Sequence, residues 1–123
     1  MVVALALSAC SIPSAQDDQL AKLGSCVTPH DQAYSSMFNQ AFNAMNEQGL
    51  DLAEVLTGLE ASARLRDTPG GSMSSEDSRF LTQHRFIGLY AGTPFTTSRF
   101  VAARTCLEQR YGMKVRVIEI RPP

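Results

Sequence analysis

The chain reads GLDLAEVLTGLEASARLR from Gly49 to Arg66, and this segment sets the class of fold because it holds a complete set of helix signals. Asp51 can cap the helix start, and Glu54 three residues later completes a capping box. Leu50 and Val55 occupy the two positions of a hydrophobic staple. Apolar residues at three- and four-residue steps then predict one buried helix face. They are Leu52, Val55, Leu56, Leu59 and Ala63.

A second amphipathic segment lies immediately before Gly49. Thr28, Pro29 and Asp31 have the residue types and spacing of a helix start, and Gly49 is a typical helix stop. Between them, apolar side chains recur at helical spacing and predict one apolar stripe. These are Tyr34, Met37, Phe38, Ala41, Phe42 and Met45. The very short connection to the next helix predicts a helical hairpin.

Two more helices are predicted further along the chain. After a loop over residues 67–74, Ser74 and Asp77 offer another capping box, for a helix that ends near Gly92. Residues 85–90 also have strand composition, so that part stays open between helix and strand.

The fourth predicted helix opens at Thr93-Pro94 or at Thr97 and ends at Gly112. Its expected inner face consists of Phe100, Ala103, Leu107 and Tyr111, with Cys106 beside it.

The end of the chain, MKVRVIEIR from Met113 to Arg121, alternates charged and apolar residues and predicts a short strand. The alternation slips where Val117 and Ile118 stand side by side. The strand can pair with residues 85–90, pack as an edge on the helices, or add to the sheet of another protein. The sequence thus predicts a mainly α fold, a four-helix domain with a short C-terminal β-strand.

Composition is that of one folded domain. The chain has 123 residues, of which 44% are apolar and 19% charged, with a net charge of −1; nothing in this favours nucleic acid as a partner. The charge is uneven, because residues 1–78 hold three basic and ten acidic side chains, whereas residues 79–123 hold eight and two. Either the two parts neutralise each other in the fold, or the basic part meets an acidic partner or a membrane surface.

The N-terminus reads MVVALALSAC, an apolar run followed by Leu7-Ser8-Ala9-Cys10. These four residues resemble the lipobox of bacterial lipoproteins. The resemblance implies cleavage before Cys10, lipid on the Cys10 sulfur, and acylation of the new amino terminus. Ser11 at the next position implies sorting to the outer membrane, facing the periplasm, rather than retention in the inner membrane. No basic residue precedes Cys10, so we expect a translation start upstream of Met1.

With Cys10 assigned to lipid, two cysteines remain. An exported domain lies in an oxidising compartment, so we predict a disulfide between Cys26 and Cys106; two separate buried thiols are the alternative. The expected organisation is a signal peptide over residues 1–9, a lipid-anchored tether over residues 10–24 that can turn helical near Asp17, and a single helical domain over residues 25–123.

Catalytic and metal-binding patterns find little support in the sequence. There is no GxSxG, HExxH or phosphate-loop motif, and His30 and His84 are isolated. Glu76 and Asp77 fit the acidic start of a helix, and His84 fits a buried or boundary position. We therefore predict no enzyme, no metal and no cofactor; a small hydrolase using His84 with the two acids stays as an alternative.

The best candidate contact surface is basic. Arginine outnumbers lysine by nine to two, which favours bidentate contacts with carboxylate or phosphate, although biased codon composition would give the same excess. The candidate partner-binding residues are Arg99, Arg104, Arg110, Lys114, Arg116 and Arg121.

In size, anchor and expected disulfide, the chain resembles the small helical pilotin-type lipoproteins that escort secretion-channel subunits. This resemblance implies a periplasmic protein that binds another envelope protein as an accessory or assembly factor. An immunity or inhibitor protein that neutralises a toxin or lytic enzyme is the alternative function.

Overall fold

The structure is a computed structural model that describes residues 15–27, 32–86 and 96–123. This part of the chain contains five helices and no strand, so the prediction of a mainly α fold is confirmed and the count of four helices was too low. The helices are α1 (Ala15–Val27), α2 (Gln32–Asn46), α3 (Leu52–Arg66), α4 (Ser75–Gln83) and α5 (Thr97–Tyr111).

Four of the helices contact one another in a closed ring around one core. Helix α1 packs against α2 and α5, and α3 packs against the same two helices, while α4 packs on α3. The rings of Phe38 in α2 and Phe100 in α5 meet edge to face inside the core, with 5.4 Å between their centroids. Both side chains are fully buried, so the aromatic pair joins two helices in the middle of the protein.

Helix α3 begins as its sequence predicts. Asp51 accepts a hydrogen bond from the Glu54 amide, 2.9 Å, and Glu54 accepts one from the Asp51 amide, 3.2 Å, so the capping box is confirmed. All five residues of the predicted inner face are buried, and so are the residues between them from Val55 to Ala63. A helix buried on most sides occupies the centre of a domain.

Gly58 has a packing role that sequence alone did not indicate. A Cβ atom built at this position would overlap the ring of Phe86, which is fully buried against α3. Glycine at this position makes the helix less stable than alanine would, by about 1 kcal/mol. In return, the aromatic ring lies directly on the helix backbone.

Helix α2 and its connection to α3 also agree with prediction. Phe38, Ala41, Phe42 and Met45 are buried, and the turn after Asn46 contains Gly49 with φ of +87°, a conformation that favours glycine. The predicted helix start at residues 28–31 lies outside the described residues.

Helix α1 lies where a tether was expected. The segment from Ala15 to residue 24 is helical, and Leu23 and Val27 are fully buried in the core. Leu20, Leu23 and Val27 stand at helical steps of three and four residues. The helical turn that the sequence allowed near Asp17 is therefore part of a full helix that packs on the core.

The polar side of α1 also contributes to the fold. The Gln19 side chain accepts a hydrogen bond from the Leu52 amide, 2.7 Å. This amide belongs to the first turn of α3, where backbone N–H groups have no partner within the helix. A side chain from one helix thus completes the N-terminus of another.

The third predicted helix is shorter than expected. Ser74 caps α4 by accepting from the Asp77 amide, 3.1 Å, but the helix ends at Gln83 rather than near Gly92. Arg85 follows with φ of +59°, a left-handed conformation that stops a helix. Residues 87–95, which include Gly92 and Thr93-Pro94, lie outside the described residues.

Helix α5 starts at Thr97 and ends at Gly112, which has φ of +66°. Phe100, Ala103 and Leu107 are buried as predicted, but Tyr111 is exposed. The Tyr111 hydroxyl instead shares a hydrogen bond with Ser25 of α1, 2.7 Å.

The prediction of a strand over Met113–Arg121 was wrong. The segment is extended, and its one ladder contact is an isolated antiparallel bridge between Ser72 and Arg121, with hydrogen bonds of 2.9 and 2.7 Å. Two physical reasons account for this. The described residues contain no second strand to pair with, and the slip in alternation leaves both Arg116 and Val117 exposed, which breaks a regular pleat.

The predicted disulfide between Cys26 and Cys106 is present and joins α1 to α5. The two Cα atoms lie 5.8 Å apart, within the usual range. The bond closes a long loop, because the two cysteines are 80 residues apart in sequence.

Among the described helices, none has the length and apolar character needed to cross a membrane.

Candidate functional site

The six basic residues proposed as a contact surface do not form one patch. Arg104 donates to Glu60 of α3, 2.7 Å, and Arg110 donates to the Ser25 carbonyl of α1, 3.1 Å. These two arginines therefore tie α5 to different helices. Arg99 lies in the first turn of the same helix. The remaining three residues share one element, the C-terminal segment Met113–Arg121.

The inward side of the C-terminal segment fixes it to the helices. Val115 and Ile118 are buried, and Met113 and Ile120 pack against the core. Thr57 of α3 donates its hydroxyl hydrogen bond to the Arg116 carbonyl, 2.7 Å, and is itself almost fully buried. The segment is therefore held in place without belonging to a sheet.

The outward side of the segment is mostly charged. Three basic residues, one acidic residue and an exposed valine make up this outer row, which carries a net charge of +2. Val117 is 44% exposed, which makes it one of two large apolar side chains exposed in the described part of the chain. The members of the outer row are Lys114, Arg116, Val117, Glu119 and Arg121.

The backbone of the C-terminal segment forms few hydrogen bonds with the described residues. Within the described residues, the Arg116 carbonyl is the only backbone group from residues 113–120 that forms a hydrogen bond. Arg121 then pairs with Ser72.

Open grooves lie on both flanks of the segment. One, of about 420 Å³, runs beside the end of α5 and is lined by Glu108 and by residues 112–116. The other, of about 300 Å³, separates the segment from α3 and α4, and its charged lining residues are Asp51, Glu54, Lys114 and Arg116.

Lys114 and Arg116 differ in how freely they can meet a ligand. Lys114 is exposed and makes no ion pair with any described residue. Arg116 donates to Asp77 of α4, 2.8 Å, while its side chain stays 58% exposed. Arg116 is therefore engaged within the fold, whereas Lys114 pairs with no described carboxylate.

An ion-pair cluster lies between α3 and α5 around the buried Glu60. Glu60 accepts from Arg104 at 2.7 Å and from Arg64 at 3.3 Å. Arg104 also contacts Glu108, 3.3 Å. The hydrogen bond that Arg104 donates to Glu60 raises the pKa of Arg104, so this arginine keeps its charge. Together with the pair of Arg116 and Asp77, the cluster joins the basic and acidic parts of the chain.

A second polar contact connects the end of α3 with the start of α5. Thr97 donates to the Asp67 carboxylate, 2.8 Å, and Arg66 lies 3.3 Å from the other carboxylate oxygen. These hydrogen bonds, the one from Thr97 first, lower the pKa of Asp67.

The residues considered for catalysis do not converge. Glu76 and Asp77 lie in the first turn of α4, whereas His84 lies just beyond its end. The His84 Nδ1 shares a hydrogen bond with Gln48, 3.0 Å, and the ring lies near Phe80, as expected for a boundary histidine. Among the described residues, no group of three or more His, Cys, Asp or Glu side chains could hold a metal ion.

Two structural residues escaped the sequence analysis. Glu60 and Thr57 lie off the predicted apolar face of α3, yet both are buried. One signal was available, because the same helix carries Gly58, Ala61 and Ser62. Small residues beside polar ones on the outer face indicate that neighbouring elements pack there as well.

No protein-family model matches the chain, and no curated protein or solved structure resembles it significantly. Cys10, the predicted site of lipidation, lies outside the described residues.

Proposed function

We propose that the protein is a lipoprotein anchored through Cys10 at the periplasmic face of the bacterial outer membrane, where it binds another envelope protein as an accessory or assembly factor. The observation that carries this proposal is the disulfide between Cys26 and Cys106. The chain has three cysteines, so the disulfide leaves Cys10 as the one that remains for another modification.

The chemistry of the compartment supports the same proposal. Structural disulfides form and persist in exported proteins and are rare in the reducing cytoplasm of most bacteria. A chain that carries both a lipobox-like sequence and a structural disulfide has two independent features that favour export.

The short distance in sequence between Cys10 and α1 limits how far the folded domain could lie from the membrane. Helix α1 starts at Ala15, five residues after Cys10, and a chain of that length spans at most about 18 Å. The helix is also joined to α5 by the disulfide. The anchor would therefore hold a folded domain close to the bilayer, where it meets other envelope proteins.

Binding, rather than catalysis, is favoured by the arrangement of polar groups. His84, Glu76 and Asp77 are each engaged or placed apart, as described above, whereas the C-terminal segment carries exposed charge and makes few backbone hydrogen bonds with the described residues. The buried ion pairs of α3 and α5 have a structural role. The segment is thus the part of the described surface best suited to contact another chain.

The proposal can be tested by expressing the full gene, with any upstream start codon, in a bacterium that has an outer membrane. We expect the wild-type protein in the outer-membrane fraction, and a Cys10→Ser variant in the soluble periplasmic fraction. Cys26→Ser with Cys106→Ser serves as the control, because it keeps the lipid site and so should keep the surviving protein at the membrane. Wild-type protein in the cytoplasm would contradict the proposal.

The binding role needs a second measurement. Crosslinking in intact cells, followed by purification from detergent-solubilised membranes, should return one envelope protein in a stoichiometric complex. The Cys10→Ser variant should lose this complex if the anchor brings the two partners together. Recovery of the chain alone from crosslinked membranes would count against an accessory role.

A further inference from the structure

We propose that lipid attachment to Cys10 must precede oxidation of the other two cysteines, and that the lipid thereby directs the pairing of Cys26 with Cys106. The inference rests on the proposed anchor at Cys10 and adds an order to the two modifications. It is carried by the position of Cys26 near the end of α1, a helix whose packing depends on a later part of the chain.

The native disulfide joins the first described helix to the last. Cys26 lies in the last turn of α1 and Cys106 lies in α5, 80 residues apart in sequence. Cys10 and Cys26 are only 16 residues apart. In an unfolded chain, the probability of loop closure falls with about the 3/2 power of loop length, so Cys26 meets Cys10 about ten times as often as it meets Cys106. The unfolded chain therefore favours the wrong pair.

Helix α1 does not remove this competition by itself. It has 13 residues, and an isolated helix of about this length is marginal in water. Its residues Leu23 and Val27 are buried in the core, and it packs against α2 and α5, so it depends on the helix that carries Cys106. In a chain exported from its N-terminus, Cys10 and Cys26 enter the oxidising compartment before α5 does.

The folded protein, by contrast, separates Cys10 from Cys26. From Ala15 to Cys26, α1 extends over about 17 Å, whereas the chain between Cys10 and Ala15 spans at most about 18 Å. Only a nearly fully extended return along the helix would bring the two sulfur atoms together. Cys26 is also only 6% exposed. Formation of the wrong pair therefore belongs to the time before α1 packs.

Lipid attachment removes the Cys10 sulfur from this competition. The sulfur forms a bond to the diacylglyceryl group of a phospholipid, the phosphorylated headgroup leaves, and the thiol proton is released. Disulfide formation instead takes two electrons and two protons from a pair of thiols and passes them to an oxidised thiol–disulfide oxidoreductase, which becomes a dithiol. This exchange requires a thiolate. A thioether cannot supply one, so lipidated Cys10 leaves Cys26 and Cys106 to pair with each other.

The competition can be measured on the full chain without lipid. The wild type and a Cys10→Ser variant are reduced and unfolded in urea, oxidised with glutathione disulfide, and trapped with N-ethylmaleimide. Trypsin cleavage after Lys22, Arg64 and Arg104 places the three cysteines on separate peptides. Mass spectrometry without reduction should find the pair of Cys10 and Cys26 about ten times as often as the native pair in the wild type.

In cells, the order of the two reactions is tested by depleting the enzyme that transfers the diacylglyceryl group. We expect the wild-type chain from depleted cells to contain a disulfide between Cys10 and Cys26 and a free Cys106 thiol. Cys10→Ser is the matched control, because it lacks the competing thiol and should form the native disulfide in the same cells. Undepleted cells should yield wild-type protein with lipidated Cys10 and the native pair.

Two results would overturn the inference while leaving the anchor intact. One is a native disulfide together with a free Cys10 thiol in the wild-type chain from depleted cells. The other is no excess of the pair of Cys10 and Cys26 during oxidation in urea. An unmodified Cys10 in undepleted cells would contradict the anchor and the inference together, so failure of the order and failure of the anchor are distinguishable.

Discussion

Glu60 of α3 and Arg104 of α5 form an ion pair with 2.7 Å between Oε1 and Nε, although Glu60 is only 2% exposed. Burial of a charge costs several kcal/mol unless a partner compensates for it. Arg64 supplies a second cation to the same carboxylate, 3.3 Å away. The cluster therefore fixes how the two helices pack, because any other arrangement would leave a buried charge without its partner.

Replacing Glu60 by glutamine should destabilise the protein by about 3 kcal/mol, because the change leaves Arg104 partly buried without its main carboxylate partner. Unfolding in urea, followed by circular dichroism with the disulfide intact, measures this loss. A change of less than about 1 kcal/mol would mean that the pair behaves as an exposed surface ion pair does.

The control replaces both members of the pair, Glu60→Met with Arg104→Met. Because it removes both charges and fills their volume with apolar atoms, we expect stability close to that of the wild type or higher. If the double variant is as unstable as Glu60→Gln, the loss comes from packing rather than from an unpaired charge.

Gly58→Ala should lower stability even though alanine is the better helix former. The gain in helix propensity is about 1 kcal/mol, but the new methyl group overlaps the ring of Phe86, and overpacking of a core costs about 1–3 kcal/mol. We therefore expect a lower melting temperature. Combining Gly58→Ala with Phe86→Leu should recover part of the loss, and a higher melting temperature for Gly58→Ala alone would contradict the packing role.

Thr57→Val should loosen the C-terminal segment. The substitution keeps the shape of the side chain but removes the hydrogen bond to the Arg116 carbonyl, and loss of a hydrogen bond of this kind costs about 0.5–1.5 kcal/mol. Hydrogen exchange of amides in residues 114–118 should become faster. Thr57→Ser, which retains the hydroxyl, should exchange nearly as the wild type does, and unchanged exchange in Thr57→Val would show that the bond does not hold the segment.

The contact between Asp67 and Thr97 predicts a specific dependence on pH. The pKa of Asp67 is lowered in the folded protein, so its contribution to stability is fully present above the pKa of the unfolded chain, about 3.9. It is lost as the pH falls through the lower folded value. The stability difference between wild type and Asp67→Asn should therefore shrink below about pH 4.

Acid unfolding of Thr97→Ala provides the control for this contact. The hydroxyl of Thr97 is the main cause of the lowered pKa, so the variant should show a weaker effect of Asp67→Asn and a flatter pH dependence. A stability difference that persists unchanged at low pH would exclude the ionised Asp67 as its source.

Local signals predicted the central part of the fold. Asp51 and Glu54 form the expected capping box, Gly49 and Gly112 adopt the positive φ expected of helix stops, and Cys26 pairs with Cys106. The capping box and the helix stops depend on residues close together in sequence, and the disulfide follows from the number of cysteines. These features can therefore be predicted without knowledge of how the helices pack.

The features that sequence did not predict depend on distant contacts. Whether Met113–Arg121 forms a strand depends on a partner strand, and the described residues offer only Ser72. The burial of Glu60 depends on Arg104, 44 residues away. The six basic residues predicted as one contact surface lie in separate places for the same reason. The sequence does not show that Arg104 and Arg110 form hydrogen bonds with other helices of the fold.

The central claim is the assignment of the three cysteines, with Cys10 to lipid and the other two to each other. The most direct measurement is mass spectrometry of protein extracted from its native membrane and digested without reduction. We expect an N-terminal peptide that begins at Cys10 and carries acyl chains, together with a disulfide-linked pair of peptides containing Cys26 and Cys106. An unmodified peptide containing residues on both sides of the Ala9–Cys10 bond, or a disulfide to Cys10, would contradict the account.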